Sequence, residues 1–182
     1  MKIEHEIKDV KIVRCENIAK ALEQVYGKYH SDLIAGLMSG SFRVENLPHL
    51  RVLQEPLEGW SEGDESYTRD CAMAILSGTW KIPAFYRALD EKGYYPASMS
   101  ESAAYLKQLK RRGIEIGTIL HLGTHIINEK CQEERLLVRE NGTVEPIPIY
   151  GETALKAFYR VVVAKKPEKN VPAKTTFFGR KK

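Results

Sequence analysis

The sequence is poor in the features that would staple a chain or hold it in a membrane. Its three cysteines, Cys15, Cys71 and Cys131, lie far apart and form no C-x-x-C pair, which argues against a disulfide framework and a zinc ribbon. No apolar run approaches the roughly 20 residues that cross a bilayer. The opening Met1-Lys2-Ile3-Glu4-His5-Glu6 lacks the apolar stretch of a signal peptide, so a cytoplasmic protein with no membrane partner is expected. Catalytic signatures are missing too. Ser39-Gly40-Ser41 has neither the G-x-S-x-G spacing of a nucleophile elbow nor the lysine of a phosphate-binding P-loop. No internal repeat or second domain is evident.

What is present suits one ordinary folded domain. The chain has 182 residues, 43% hydrophobic and 29% charged, enough for a core that needs neither disulfides nor a structural metal. The net charge of +4 becomes informative when divided along the chain. Residues 164 to 182 hold seven of the 28 Lys and Arg but only one of the 24 Asp and Glu, Glu168. The remainder is close to neutral, so the basicity belongs to the tail. The expected organisation is a globular domain over 1–163 and a basic, extended tail over 164–182.

Periodicity gives the elements. Ile3, His5 and Ile7 alternate before the register shifts to Val10 and Ile12, which suits a strand with a bulge or a short two-strand unit. Asn17 can cap a helix carrying Ile18, Leu22, Val25 and Tyr29, and a second helical stretch runs from Ser31 to Met38. Leu50 to Leu53 could form one strand inside a long connection rich in Pro and Gly. Tyr67, Cys71, Ala74 and Ile75 stand at helical spacing. Pro83 suits the first turn of a helix with Phe85, Tyr86 and Leu89. Ser98-Met99-Ser100-Glu101 has the spacing of a capping box, so a helix is expected from there to Gly113. Ile114 to Ile127 reads as strand, and Asn141-Gly142 between two apolar runs signals a hairpin with a two-residue turn. Pro146 and Pro148 place its second strand on a sheet edge. Thr153 to Phe158 suggests a helical turn or two, and Tyr159 to Val163 a last strand. The expected fold is α+β: four to five helices packed on a mainly antiparallel sheet with a C-terminal hairpin.

Three groups of residues could carry chemistry. His121, His125, Glu129 and Cys131 have residue types that bind transition metals, but on a strand the two histidines stand roughly 13 Å apart, and ordinary hydrogen-bonded histidines are expected with no metal and no cofactor. The acid-base candidates are His30 with Asp32, the loop carboxylates Glu62, Asp64 and Glu65, and Asp70 on its expected helix. None shows a partner pattern, and acidic loops are usually just solvated faces. The basic residues are the stronger signal. Lys107, Lys110, Arg111 and Arg112 crowd the end of the capped helix, where cations also favour the helix dipole. In the tail, Lys165, Lys166, Lys169, Lys174, Arg180, Lys181 and Lys182 can neutralise phosphates, and Phe177 and Phe178 can stack on bases.

These residues lead to the expectation of a non-enzymatic subunit or accessory protein that binds nucleic acid, RNA or DNA, within a nucleoprotein assembly with other protein subunits. The helix, helix and hairpin order from Pro83 to Ile149 would allow a winged-helix variant. Two other classes are open to the sequence: a small hydrolase or transferase using His121 or His125 with a loop carboxylate, and a protein-binding subunit that docks through Phe177 and Phe178.

Overall fold

A computed structural model of the chain describes residues 1–13, 25–26, 52–54, 66–127, 133–140, 144–148 and 153–167. Ten strands and two helices lie among them. Strands β1 (Lys2–Val13), β2 (Val52–Gln54), β3 (Ser66–Ile75) and β4 (Trp80–Lys81) precede helix α1 (Ile82–Glu91). Strand β5 (Tyr94–Pro96) leads into helix α2 (Met99–Arg111), and β6 (Ile119–Ile127), β7 (Glu133–Val138), β8 (Val144–Pro148), β9 (Ala154–Leu155) and β10 (Arg160–Lys165) follow. The main sheet has eight strands in the order β1-β3-β10-β6-β7-β8, with β2 beside β6 and β5 beside β10, while β4 and β9 pair separately. All pairs are antiparallel except β10 with β6.

The expectation of four to five helices on a sheet is therefore wrong. About half of the described residues are in strands and only two helices stand among them, so this is a mostly sheet fold. The clearest error is Ser66–Ile75, read as a helix and found as β3. Cys71 and Met73 enter one core cluster and Ala72 and Ala74 the other, so β3 is buried on both faces. Such a strand shows a continuous apolar run, here Cys71 to Leu76, and a continuous run satisfies the helical period as readily as the strand period. Thr153 to Phe158 likewise holds the short strand β9, paired with β4, where a helical turn was expected. Of the helices expected from Asn17 to Met38, only Val25 and Tyr26 are described, and both are helical. The rest lies outside the described residues.

The two helices cover opposite faces of the sheet. Phe85 and Leu89 of α1 pack with Ala72, Ala74, Leu120, Val161 and Val163, whereas Ala103, Tyr105, Leu106 and Leu109 of α2 pack with Met73, Ile119, Leu136 and Val162. A winged helix, with its helices packed on each other, is thereby excluded. The expected bulge in β1 is present twice. Register shifts fall between Glu4 and Ile7 and between Ile7 and Val10, and His5 (φ 53) and Asp9 (φ 51) take left-handed backbone there. Bulges free backbone groups from the ladder, and side chains satisfy them: the Tyr105 hydroxyl donates to the His5 carbonyl at 2.8 Å, and the Asp9 N–H donates to Asp70 Oδ1 at 3.0 Å.

Strands β7 and β8 form the expected antiparallel pair, and β8 with its two prolines is at the sheet edge. Their register differs from the expected one. Val138 pairs with Val144, which leaves five residues between the partners, whereas an uninterrupted ladder closed by a two-residue turn leaves an even number. Asn141 and Gly142 themselves lie outside the described residues. Strand β6 is irregular between His121 and Ile126. There Gly123 meets the junction of β5 and α2 so closely that a Cβ would lie 2.2 Å from the Ala97 carbonyl oxygen. Only glycine permits this backbone contact.

Candidate anion-binding groove

Helix α2 is built as its sequence suggests. The Ser98 hydroxyl accepts from the Glu101 N–H, and the Glu101 carboxylate accepts from the Ser98 N–H, completing the capping box. Glu101 does more than cap. Its Oε1 also accepts from the hydroxyls of Tyr67 on β3 at 2.7 Å and Tyr95 on β5 at 2.6 Å, and Arg69 Nε donates to the Tyr95 hydroxyl oxygen at 3.3 Å. Burial and the Glu101 charge push both tyrosines far above the usual phenol range, so they act as fixed donors. This buried network pins the start of α2 to two strands and thereby sets where its basic end lies. The capping box is legible in the sequence but the tyrosines are not, because β3 has the spacing of a helix and nothing local joins residue 67 to residue 101.

The four cations at the end of α2 are not one cluster. Lys107 and Arg111, four residues apart, share a stripe with Ser100 and Ala104, and these line a cavity of about 250 Å³ against the end of β1. Lys11 and Val13 of β1 form its other side. No carboxylate lines this cavity, and Lys11, Lys107 and Arg111 pair with none among the described residues. Lys110 turns elsewhere: its ammonium donates to the Val25 carbonyl at 2.6 Å and lies 5.2 Å from the centre of the Tyr26 ring. Arg112 is the C-cap residue, and its N–H closes the last turn of α2. Lys11 was missed in the sequence. The alternation of Val10, Lys11 and Ile12 marks it as outward, but its neighbourhood with α2 is a tertiary fact.

The first two tail lysines are held on the folded body. Lys165 ends β10 and its ammonium lies 4.0 Å from Asp70 Oδ2, while Lys166 pairs with Asp90 and donates its backbone N–H to the Gly93 carbonyl. Lys169, Lys174, Phe177, Phe178, Arg180, Lys181 and Lys182 lie outside the described residues.

The remaining candidates lose ground. Asp70 is on strand β3, and its carboxylate serves the Asp9 bulge and Lys165. His30, Asp32, Glu62, Asp64, Glu65, Glu129 and Cys131 lie outside the described residues. His121 and His125 are both on β6. His121 is only 2% exposed, neither ring nitrogen has a hydrogen-bond partner among the described residues, and burial lowers its pKa to about 4. A residue so enclosed cannot meet a substrate in this structure. No group of three or more His, Cys, Asp and Glu among the described residues could hold a metal ion. No helix among them is long and apolar enough to cross a membrane.

Compared with known proteins, the chain matches no family model, no curated protein and no solved structure.

Proposed function

We propose that this chain binds nucleic acid through its phosphates, using the groove between β1 and α2 together with the basic tail. The observation that carries this reading is the convergence of Lys11, Lys107 and Arg111 on one cavity with no acidic lining. Three like charges on a concave wall with a low-dielectric body behind it raise the local positive potential, and anions are the ligands such a field collects. Arg111 offers a planar fork that suits phosphate oxygens, and Lys11 and Lys107 act as point charges. Lys110 contributes to folding instead, through Val25 and Tyr26. The tail residues Lys169, Lys174, Arg180, Lys181 and Lys182 supply further cations on the same chain. Contacts of this kind position a polyanion and carry no base sequence, so the proposed binding is sequence-tolerant and strongly salt-dependent.

The test is an electrophoretic mobility shift series at several salt concentrations with the Lys107→Gln, Arg111→Gln double variant. Both side chains are exposed, so the fold should survive, which circular dichroism checks. The expected result is a uniform loss of affinity of about tenfold or more near 0.1 M salt, for every sequence tested, and a log-log salt slope smaller by about two. Unchanged affinity and slope would overturn the assignment of the groove.

A further inference from the structure

A second cavity, of about 600 Å³, opens on the α1 side of the sheet. Its lining is of a different kind: Tyr86, Tyr94 and Tyr95, the prolines Pro83 and Pro96, and a rim of Arg87, Asp90 and Lys166. We infer that this cavity is a stacking site for the bases of a single-stranded nucleic acid, an inference that rests on the polyanion reading above.

Two of the three rings are fixed through their hydroxyls. Tyr94 donates to Glu6 Oε2 at 2.6 Å and Tyr95 to Glu101 Oε1 at 2.6 Å, so both polar ends are committed to protein carboxylates. Burial, with Glu6 close by, pushes the Tyr94 hydroxyl up to about 12, which keeps it a neutral donor at physiological pH. Tyr94 is only 8% exposed and Tyr95 packs with the α2-side core, so these two stiffen the floor of the cavity, and the half-buried ring that a ligand can reach is that of Tyr86 on α1. That ring is held in place in advance, braced edge-on against Phe85 with centroids 6.3 Å apart. Bases stack on such surfaces whatever their identity.

The rim favours a phosphate-bearing ligand over an uncharged one. Asp90 is engaged by Lys166, which neutralises the single acid in the lining, while Arg87 is exposed and pairs with no carboxylate among the described residues. Guanidinium and ring together are the pair that grips one nucleotide, the charge on its phosphate and the π-face on its base. The site also has a neighbour whose lining includes the carboxylates of Asp9 and Asp70. Lys11 of the groove is the register partner of Thr68, Thr68 lines this third cavity, and that cavity shares Lys166 with the tyrosine-lined one. Pro167, from which the basic tail continues, lines the same third cavity.

The experiment is fluorescence anisotropy of the full chain with three labelled probes: a single-stranded homopyrimidine oligonucleotide, an abasic strand of the same length and charge, and a polyproline peptide. The first should bind about tenfold or more tighter than the second, since each stacked base contributes measurably. Tyr86→Leu, which keeps apolar volume against Phe85, should bring the base-bearing strand down towards the abasic level. Arg87→Gln, at an exposed position, gives a second readout should the leucine variant fold poorly, and it too should narrow the gap between the strands. Equal binding of the two strands by the unaltered chain would overturn the stacking site while leaving the phosphate-binding groove standing. Binding of neither strand would overturn both. Binding of the polyproline peptide that depends on Tyr86 would make the cavity a peptide groove and overturn this assignment.

Discussion

The Glu101 carboxylate is fully buried, and what keeps it there is a complete set of donors: two tyrosine hydroxyls on Oε1 and the Ser98 N–H on Oε2. Glutamine has the same shape but one acceptor fewer. With its oxygen on the Ser98 N–H, its NH2 meets the two tyrosine hydroxyls, which would have to turn to accept and so lose the buried acceptor for their own hydrogens. Glu101→Gln should therefore cost about 2 kcal/mol or more of stability, measured by urea denaturation, because a buried polar group is left unpaired. His121 makes the opposite case, with both ring nitrogens buried and without a partner among the described residues. Its folded-state pKa of about 4 lies below the ordinary 6.5, so the unfolded chain takes up this proton first as the pH falls. Stability is then undiminished above about pH 6.5, declines between 6.5 and 4, and loses up to roughly 3 kcal/mol from this residue. Comparing His121→Leu with the unaltered chain at pH 7.5 and pH 5 isolates the effect. The variant should lose clearly less stability across that interval, and an identical loss in both would mean that His121 is not the residue being titrated.

Helix α2 and strand β6 meet at a place where side chains have been removed altogether. At Gly123 the backbone of β6 lies against the carbonyls of Pro96 and Ala97, immediately before α2 begins. Neither backbone can yield as a flexible side chain would, so Gly123→Ala should destabilise the chain by about 1–3 kcal/mol or prevent its folding. A thermal melt with the midpoint unchanged would show that β6 and the β5–α2 junction are not held in this contact. The elements most legible in the sequence were those with local chemistry. The capping box started α2 at Met99, Pro83 marked the first turn of α1, the prolines put β8 on an edge, and the register shift after Ile7 announced a bulge in β1. Strand β3 was illegible for a physical reason: a strand buried on both faces loses the alternation that identifies strands. The candidate site was half legible. Lys107 and Arg111 could be named from their helix, but neither their separation from Lys110 nor the approach of Lys11 from β1 is written within any one segment.

On the scale of the whole molecule, the concentration of cations after Pro167 in the sequence is the property that the proposed function depends on most. Strand β10 ends at Lys165 and its pairings to β3, β5 and β6 all involve residues at or before that point, while Lys166 closes onto Gly93 and Asp90. A chain ending at Pro167 keeps every one of these contacts and should still fold, which circular dichroism checks. It loses Lys169, Lys174, Arg180, Lys181 and Lys182 against Glu168 alone. If these five cations neutralise phosphates, the slope of log affinity against log salt on duplex DNA should fall by up to about four, and by less on single strands. The groove variant Lys107→Gln, Arg111→Gln should lower the slope by about two, and the combination should lower it by roughly the sum, since distant sites act independently. That additivity is the informative outcome. A truncated chain that binds as tightly as the full one at every salt concentration would remove the tail from the proposal. A truncated chain carrying the groove substitutions that still binds with an undiminished slope would place the polyanion on some other surface.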